Sequence, residues 1–172
     1  MAGFDVGAYV PRALLARTPD APRHWADEGT LLFADVSGFT RLSDQLARRG
    51  HEGAEDLVST LVRVFTLLLS ASDDGGDLIK FGGDAMVIHY GGPDHERRAC
   101  HAAYMMQRVM RVVGNVELTG ARARLRMSIG VHSGRFDFLL PGHAQQDLVV
   151  TGGAATSSAW RGARAARATC PT

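Results

Sequence analysis

The stretch "GGDLIKFGGDAMVIHY" (residues 75–90) decides how the rest of the chain is read. Two short apolar runs, "DLIKF" and "AMVIHY", flank the bend "GGD". Glycine at such a bend supplies the backbone conformations that a tight hairpin requires. The same stretch holds the chain's one lysine, Lys80, four residues before Asp84. The other cationic residues among 19 Lys plus Arg are all arginine, a bias of the kind a GC-rich genome imposes. A lysine kept against that bias suggests a need for an ammonium rather than a guanidinium.

A hairpin needs further strands, and the flanking sequence offers them. Upstream, "TLLFADV" is a short apolar strand ending at Asp35, and "SGF" turns the chain. "TRLSDQLARRG" reads as a helix closed by Gly50 at its C-terminal cap. A longer helix follows from Glu52 to Ser72, with Leu57, Leu61, Val64 and Leu68 on one broad apolar face. Before all this, "YVPRALLAR" suits a short helix starting near Pro11, and "TPDAPRHWADEG" a proline-rich connector.

Downstream, Asp94 is placed to cap a helix over residues 95–113. "ARLRMSIGVHSG" alternates Leu125, Met127, Ile129 and Val131 as a half-buried strand does, and "RFDFLL" and "DLVVTG" read as two more strands. The order of elements predicts an α+β sandwich, a largely antiparallel sheet with helices on one face. Residues 1–28 form a lead segment, 29–160 one domain, and 161–172 an Ala/Arg-rich tail to which no structure is assigned.

Composition excludes several classes. Apolar and charged fractions of 45% and 22% are those of an ordinary globular chain. A formal charge of +1 argues against nucleic acid or an anionic membrane as a general partner. The first 20 residues carry no basic stretch followed by a continuous apolar run, so no secretory signal is expected there, and "VRVFTLLLSA" is too short to span a bilayer. Cys100 and Cys170 make no disulfide framework and read as reduced thiols, so a cytoplasmic location is expected.

Asp35 and Asp84 lie 49 residues apart in sequence. If the first strand runs antiparallel beside the hairpin, both carboxylates reach one edge of the sheet. Such an oxygen-rich pair suits Mg²⁺ or Mn²⁺, which take one or two carboxylates plus substrate phosphates. "SGFT", residues 37–40, would offer backbone N–H groups before a helix N-terminus, where phosphate binds well. The plainer reading stands beside this one: Asp35 shapes a turn, and "GGD" is ordinary hairpin chemistry.

Taken together, "LLFADVSGFTRLSDQL" and "GGDLIKFGGDAMVI" resemble the class III nucleotide cyclase domain, with "RLRMSIGVHSG" and "DLVVTGGAAT" following in that family's order. Within it, "DVSGFT" and "GGDLIKFGGDA" are most similar to the first cyclase-homology domain of soluble, bicarbonate-responsive type adenylyl cyclases and bacterial multidomain relatives. The resemblance implies a ferredoxin-like sandwich that here stops early at its C-terminal side. It implies conversion of ATP to cyclic AMP and pyrophosphate, with two Mg²⁺ or Mn²⁺ ions held by Asp35, Asp84 and the Val36 carbonyl. Ser37, Gly38, Phe39 and Thr40 would bind phosphate, and Lys80 a base or a small anion.

The resemblance also implies an active site shared with a second cyclase-homology domain, in a hetero- or homodimer. There the pattern breaks. Thr156 stands where the family places a ribose-orienting asparagine and Trp160 where it places a transition-state arginine, and Ala159 falls at the arginine that accompanies bicarbonate binding. A metal-bearing half that needs a partner is one expectation; a catalytically inactive regulatory domain that binds nucleotide or a partner is the other. A diguanylate cyclase is disfavoured, because Ala85 and Met86 replace the acidic and aromatic residues of the "GGDEF" signature.

Overall fold

A computed structural model describes residues 10–15, 17–18, 20–142 and 147–152. In chain order the elements are α1 (Arg12–Leu15), β1 (His24–Ser37), α2 (Phe39–Ala47), α3 (His51–Ala71), β2 (Asp77–Gly82) and β3 (Ala85–Gly91). There follow α4 (His95–Val113), β4 (Asn115–Leu118), β5 (Ala121–Arg124), β6 (Arg126–Leu139) and β7 (Val149–Thr151). Five strands form an antiparallel sheet in the order β2-β3-β1-β6-β7, and β4 and β5 make a separate two-stranded ribbon.

The core follows from the period-2 alternation of the central strands. Leu32, Ala34 and Val36 of β1 and Met86, Ile88 and Tyr90 of β3 point to one face and are buried there under the helices. Leu42 and Leu46 of α2, Val64 and Leu68 of α3, and Ala99, Ala102, Met106 and Met110 of α4 complete that core. The alanines let α4 lie close to the strands. Gly76 is needed for the same reason, since a Cβ there would sit 2.7 Å from the Tyr90 ring. The Tyr90 hydroxyl, buried beneath α3, donates to the Ser72 carbonyl at 3.0 Å, and burial pushes its pKa up to about 12.

A second, smaller core covers one end of the other face. Ile79, Phe136, Phe138 and Leu148 are buried with Leu14, Trp25, Leu31 and Val87 against them. Trp25 stacks on Phe138 with centroids 5.3 Å apart, and the Arg17 guanidinium lies over the indole at 3.8 Å. Asp77 holds α1 to the sheet edge by accepting the Arg12 and Ala13 N–H groups, each at 2.7 Å.

Several expectations need correction. The first strand is not short: it runs from His24 to Ser37, so the second half of the expected connector is sheet. "ARLRMSIGVHSG" and "RFDFLL" contribute to one continuous strand, β6, rather than two. Its odd positions near Met127 face the helices, while Phe136 and Phe138 at even positions fill the second core, so the burial pattern changes phase along one strand. Gly50 does not close α2, whose C-cap is Arg48; with φ +61 it opens α3 instead. Asp94 occupies the N-cap position of α4 but makes no capping hydrogen bond, and its carboxylate meets Arg97 instead. The β4–β5 ribbon was not anticipated.

Candidate active site

The register shows how Asp35 and Asp84 meet. β1 pairs with β3 so that Asp35 lies opposite Ala85, next to Asp84 in the hairpin bend. The Val36 N–H donates to the Asp84 carbonyl at 3.1 Å, which fastens the bend to the end of β1. The two carboxylates are close enough to interact: the Asp35 pKa is raised, first by burial and then by the negative charge of Asp84. Each therefore favours a cation between them.

The bend itself leaves space beside the site. A Cβ at Gly82 or Gly83 would meet nothing within 4 Å. Among the described residues, no group of three or more His, Cys, Asp or Glu side chains converges on a metal position. Two carboxylates and the Val36 backbone carbonyl fit Mg²⁺ or Mn²⁺, which keep waters and take further oxygens from a substrate phosphate. The donor set does not fit Zn²⁺, which wants imidazole or thiolate.

Immediately beyond Asp35 the chain turns through Ser37 and Gly38 into α2. Gly38 has φ +104, and a Cβ there would lie 2.9 Å from the Arg124 carbonyl oxygen, so this turn requires glycine. No side chain caps α2. The first i→i−4 bond runs from the Leu42 N–H to the Gly38 carbonyl, and the amides of Phe39, Thr40 and Arg41 precede it. The positive end of the helix thus opens beside the carboxylate pair, as an anion site would. The Phe39 side chain is buried and acts as a wedge. It stacks on Phe65 at 6.0 Å, and Phe65 meets Phe81 edge-on at 5.4 Å. Ser37 is exposed, with its hydroxyl 3.5 Å from the Arg126 carbonyl.

The register also maps the sheet face turned away from the helices. Asp35 sits between Ala85 and Ser128, and Phe33 between Val87 and Gly130. Lys80 lies opposite Val87 across a bulge that leaves Ile79 as an extra residue. Lys80 and Asp35 therefore share this face, with β3 between their strands and an offset along it. The Lys80 ammonium donates to Asp147 at 2.5 Å, and that hydrogen bond is the first cause of a lowered Asp147 pKa. Residues 147 and 148 arch over the curled sheet from the β7 side to reach β2 at the opposite edge, and Leu148 packs with Ile79. Asp147 escaped the sequence reading as a partner for Lys80, because only the curl of the sheet brings residues 67 apart together. Thr156 and Trp160 lie outside the described residues.

A cleft of about 600 Å³ lies elsewhere among the described residues. It follows the outer edge of β2 between Pro11, Arg12, Leu69 and Asp73, and includes Lys80 and Phe81 but neither Asp35 nor Asp84. Asp35 and Asp84 are each half-buried outside that cleft.

The family of adenylate and guanylate cyclase catalytic domains matches residues 22–156, most of the chain. The chain belongs to that family. This cyclase domain is 24% identical over 140 residues to adenylate cyclase 1 of Rhizobium meliloti, which covers 76% of the chain and 20% of that protein. It is 33% identical over 73 residues to adenylate cyclase type 10 of Rattus norvegicus, covering 41% of the chain and 4% of that protein. The cyclase domain thus spans only a small part of these relatives. Its fold is that of the adenylyl cyclase CyaB from P. aeruginosa, with a TM-score of 0.64, 22% identity, and coverage of 78% of this chain and 70% of that one. Among the described residues, no helix is long and apolar enough to cross a membrane.

Proposed function

We propose that this cyclase domain converts ATP to cyclic AMP and pyrophosphate as the metal-bearing half of a pair of cyclase domains. The observation that carries the reading is the Asp35–Asp84 pair beside the uncapped first turn of α2, in a chain of the nucleotide cyclase family. Asp35, Asp84 and the Val36 carbonyl would hold two Mg²⁺ or Mn²⁺ ions. When bound, such ions lower the pKa of the ribose 3′-hydroxyl and offset the charge of the triphosphate.

The chain's own residues position the reaction. The backbone from Ser37 to Thr40 holds phosphate oxygens at the helix N-terminus. The 3′-oxygen attacks the α-phosphorus in line; its proton passes to solvent, the bond to the bridging oxygen of the β-phosphate breaks, and pyrophosphate leaves with the electron pair. Chemistry of this kind depends mainly on positioning and charge stabilisation. ATP is preferred to GTP on the strength of the adenylate cyclase relatives, with Lys80 and Asp147 offering a donor beside an acceptor on the same face.

The need for a second cyclase domain is supported by the openness of the site. Carboxylates that are only half-buried need another surface to exclude water. Thr156 and Trp160 leave the ribose-orienting and charge-stabilising groups to be supplied by that partner, and the complex would act in the cytoplasm. The alternative, a domain that binds nucleotide or a partner without turnover, draws on the same two positions and on the engagement of Lys80 by Asp147.

The test is a turnover assay with Mn²⁺ and labelled ATP or GTP, with the domain alone and mixed with a complementary cyclase domain. Cyclic AMP is expected from the mixture, and Asp35→Ala should abolish it. No product from the mixture, with Mn²⁺–nucleotide binding intact, would favour the non-catalytic alternative. No binding at all would end the cyclase reading.

A further inference from the structure

β2 is an edge strand of the five-stranded sheet, and among the described residues no strand pairs with its outer side. A bare edge is a template for another strand, and charged side chains are a usual guard against it. Here both charges on β2 are engaged. Asp77 accepts the Arg12 and Ala13 N–H groups, and Lys80 is turned to Asp147. The cleft of about 600 Å³ runs along this edge, lined by Leu69 and Ser70 of α3 and by Leu78, Ile79 and Phe81 of β2.

The apolar surface continues from the cleft along α3. Val58, Val62, Phe65 and Leu69 follow one another at i, i+4, i+7 and i+11, the spacing of one helix flank. Val58 and Val62 are exposed, and so is Phe81, whose ring meets Phe65 edge-on. Strand edge and helix flank thus make an apolar corner that neither element fills.

The chain itself leads into that corner. Val10 and Pro11 line the cleft, and α1 behind them is fastened to Asp77, the first residue of β2. The stretch "GFDVGAYV", residues 3–10, puts Phe4, Val6, Ala8 and Val10 at alternate positions. That is the period of a strand with one buried face. Seven residues in extended form, 3–9, reach about 23 Å, against about 20 Å for the six residues of β2. The stretch contains no proline, and Asp5 is its one charged residue.

We propose that residues 3–9 add to the outer edge of β2 as a further strand, antiparallel to it, and fill the corner beside α3. The direction follows from α1: because it is tied to the start of β2, the residues before it run from the Phe81 end toward Asp77. Phe4, Val6 and Ala8 turn toward Leu69, Val62 and Phe81, while Asp5 and Tyr9 face outward. β2 leads directly into Gly83 and Asp84, so the added strand braces the hairpin that carries the second carboxylate. This docking is independent of nucleotide turnover.

Hydrogen exchange of the whole chain, read by mass spectrometry on peptides covering 1–10 and 76–82, tests this. Both segments should be protected together. Phe4→Asp and Val6→Asp each put a charge on the buried face, and each should speed exchange in 76–82 about tenfold or more while α4 keeps its protection. Asp5→Asn, on the outer face, should change neither segment. Exchange of 1–10 at the rate of an unstructured peptide, or protection of 76–82 that survives both substitutions, overturns the proposal. So does protection that is lost on dilution, because the occupant is then a second copy of the chain. Protection that appears only when a complementary cyclase domain is added overturns it as well.

Discussion

Gly38 is where the fold and the site depend on the same backbone torsion. Its φ of +104 lies where L-residues are strained, and a Cβ would sit 2.9 Å from the Arg124 carbonyl and 3.3 Å from Leu125 Cδ2. Gly38→Ala should therefore cost two things. The left-handed conformation costs about 1–2 kcal/mol. Displacing backbone that cannot give way adds about 1–3 kcal/mol, the range for overpacking a filled site. Alanine returns about 0.4–1 kcal/mol by restricting the unfolded chain. The net is a loss of about 2–4 kcal/mol, or about 4–16 °C in melting temperature for a domain of this size.

Gly120 separates the two costs. Its φ is +76, but a Cβ there would meet only the Arg49 Cδ at 3.6 Å, an ordinary contact. Gly120→Ala should thus lose about 1 kcal/mol, from conformation alone. The assay is thermal unfolding of both variants by circular dichroism, with titration of a non-cyclisable ATP analogue in Mn²⁺. Gly38→Ala should melt several degrees below Gly120→Ala and bind the analogue more weakly, because relief of the clash moves the first turn of α2 away from Asp35. Equal melting of the two variants would refute the reasoning, since the contact with Arg124 would then contribute nothing.

Three further outcomes are expected. His89 is buried between Phe136 and Phe138, its Nε2 3.9 Å from Asp27 and without a hydrogen bond. Burial lowers its pKa below 6.5, more than Asp27 and Asp77 raise it. The native state then binds fewer protons than the unfolded chain, so stability is full above pH 6.5 and falls as pH drops toward the folded pKa; His89→Gln should flatten melting curves taken between pH 7.5 and 5.5. Asp35→Asn removes a partly buried charge and its repulsion with Asp84, because a raised carboxyl pKa means ionisation disfavours the native state as pH rises above 3.8. That variant should melt higher than the unaltered domain in chelator, gain nothing from Mn²⁺, and lose cyclase activity by about a hundredfold or more. Lys80→Ala breaks an exposed ion pair, so the melting temperature should hold while the ATP-to-GTP ratio of analogue binding changes.

Much of this was legible in the sequence. "GGDLIKFGGDAMVIHY" folds as the hairpin β2–β3, and the helices read at 52–72 and 95–113 are α3 and α4 to within a residue. Local signals suffice there, because apolar periodicity and glycine bends are properties of short segments. The site was legible in part: Asp35 and Asp84 come together because strand pairing carries both ends to one edge. The misread elements lack local signals. "HWADEG" has no apolar alternation, yet it is strand because β6 continues beside it and supplies a ladder of partners. β6 was divided in two because its inward face changes from odd to even positions where the second core begins. In the β4–β5 ribbon, the alternation of alanine with arginine is too weakly apolar to announce a strand.

The sequence by itself determined the α+β class, the cyclase family, the carboxylate pair and the glycine turn into α2. Those features are written in contiguous motifs, and each motif's chemistry is local. Only the tertiary structure decided what surrounds them: that Lys80 is held by Asp147, that Arg126 stands opposite Ser37, and that the half-buried carboxylates lie away from the cleft along β2. The reason is that sheet register and curl join residues from 67 to 89 positions apart, a juxtaposition no single segment encodes.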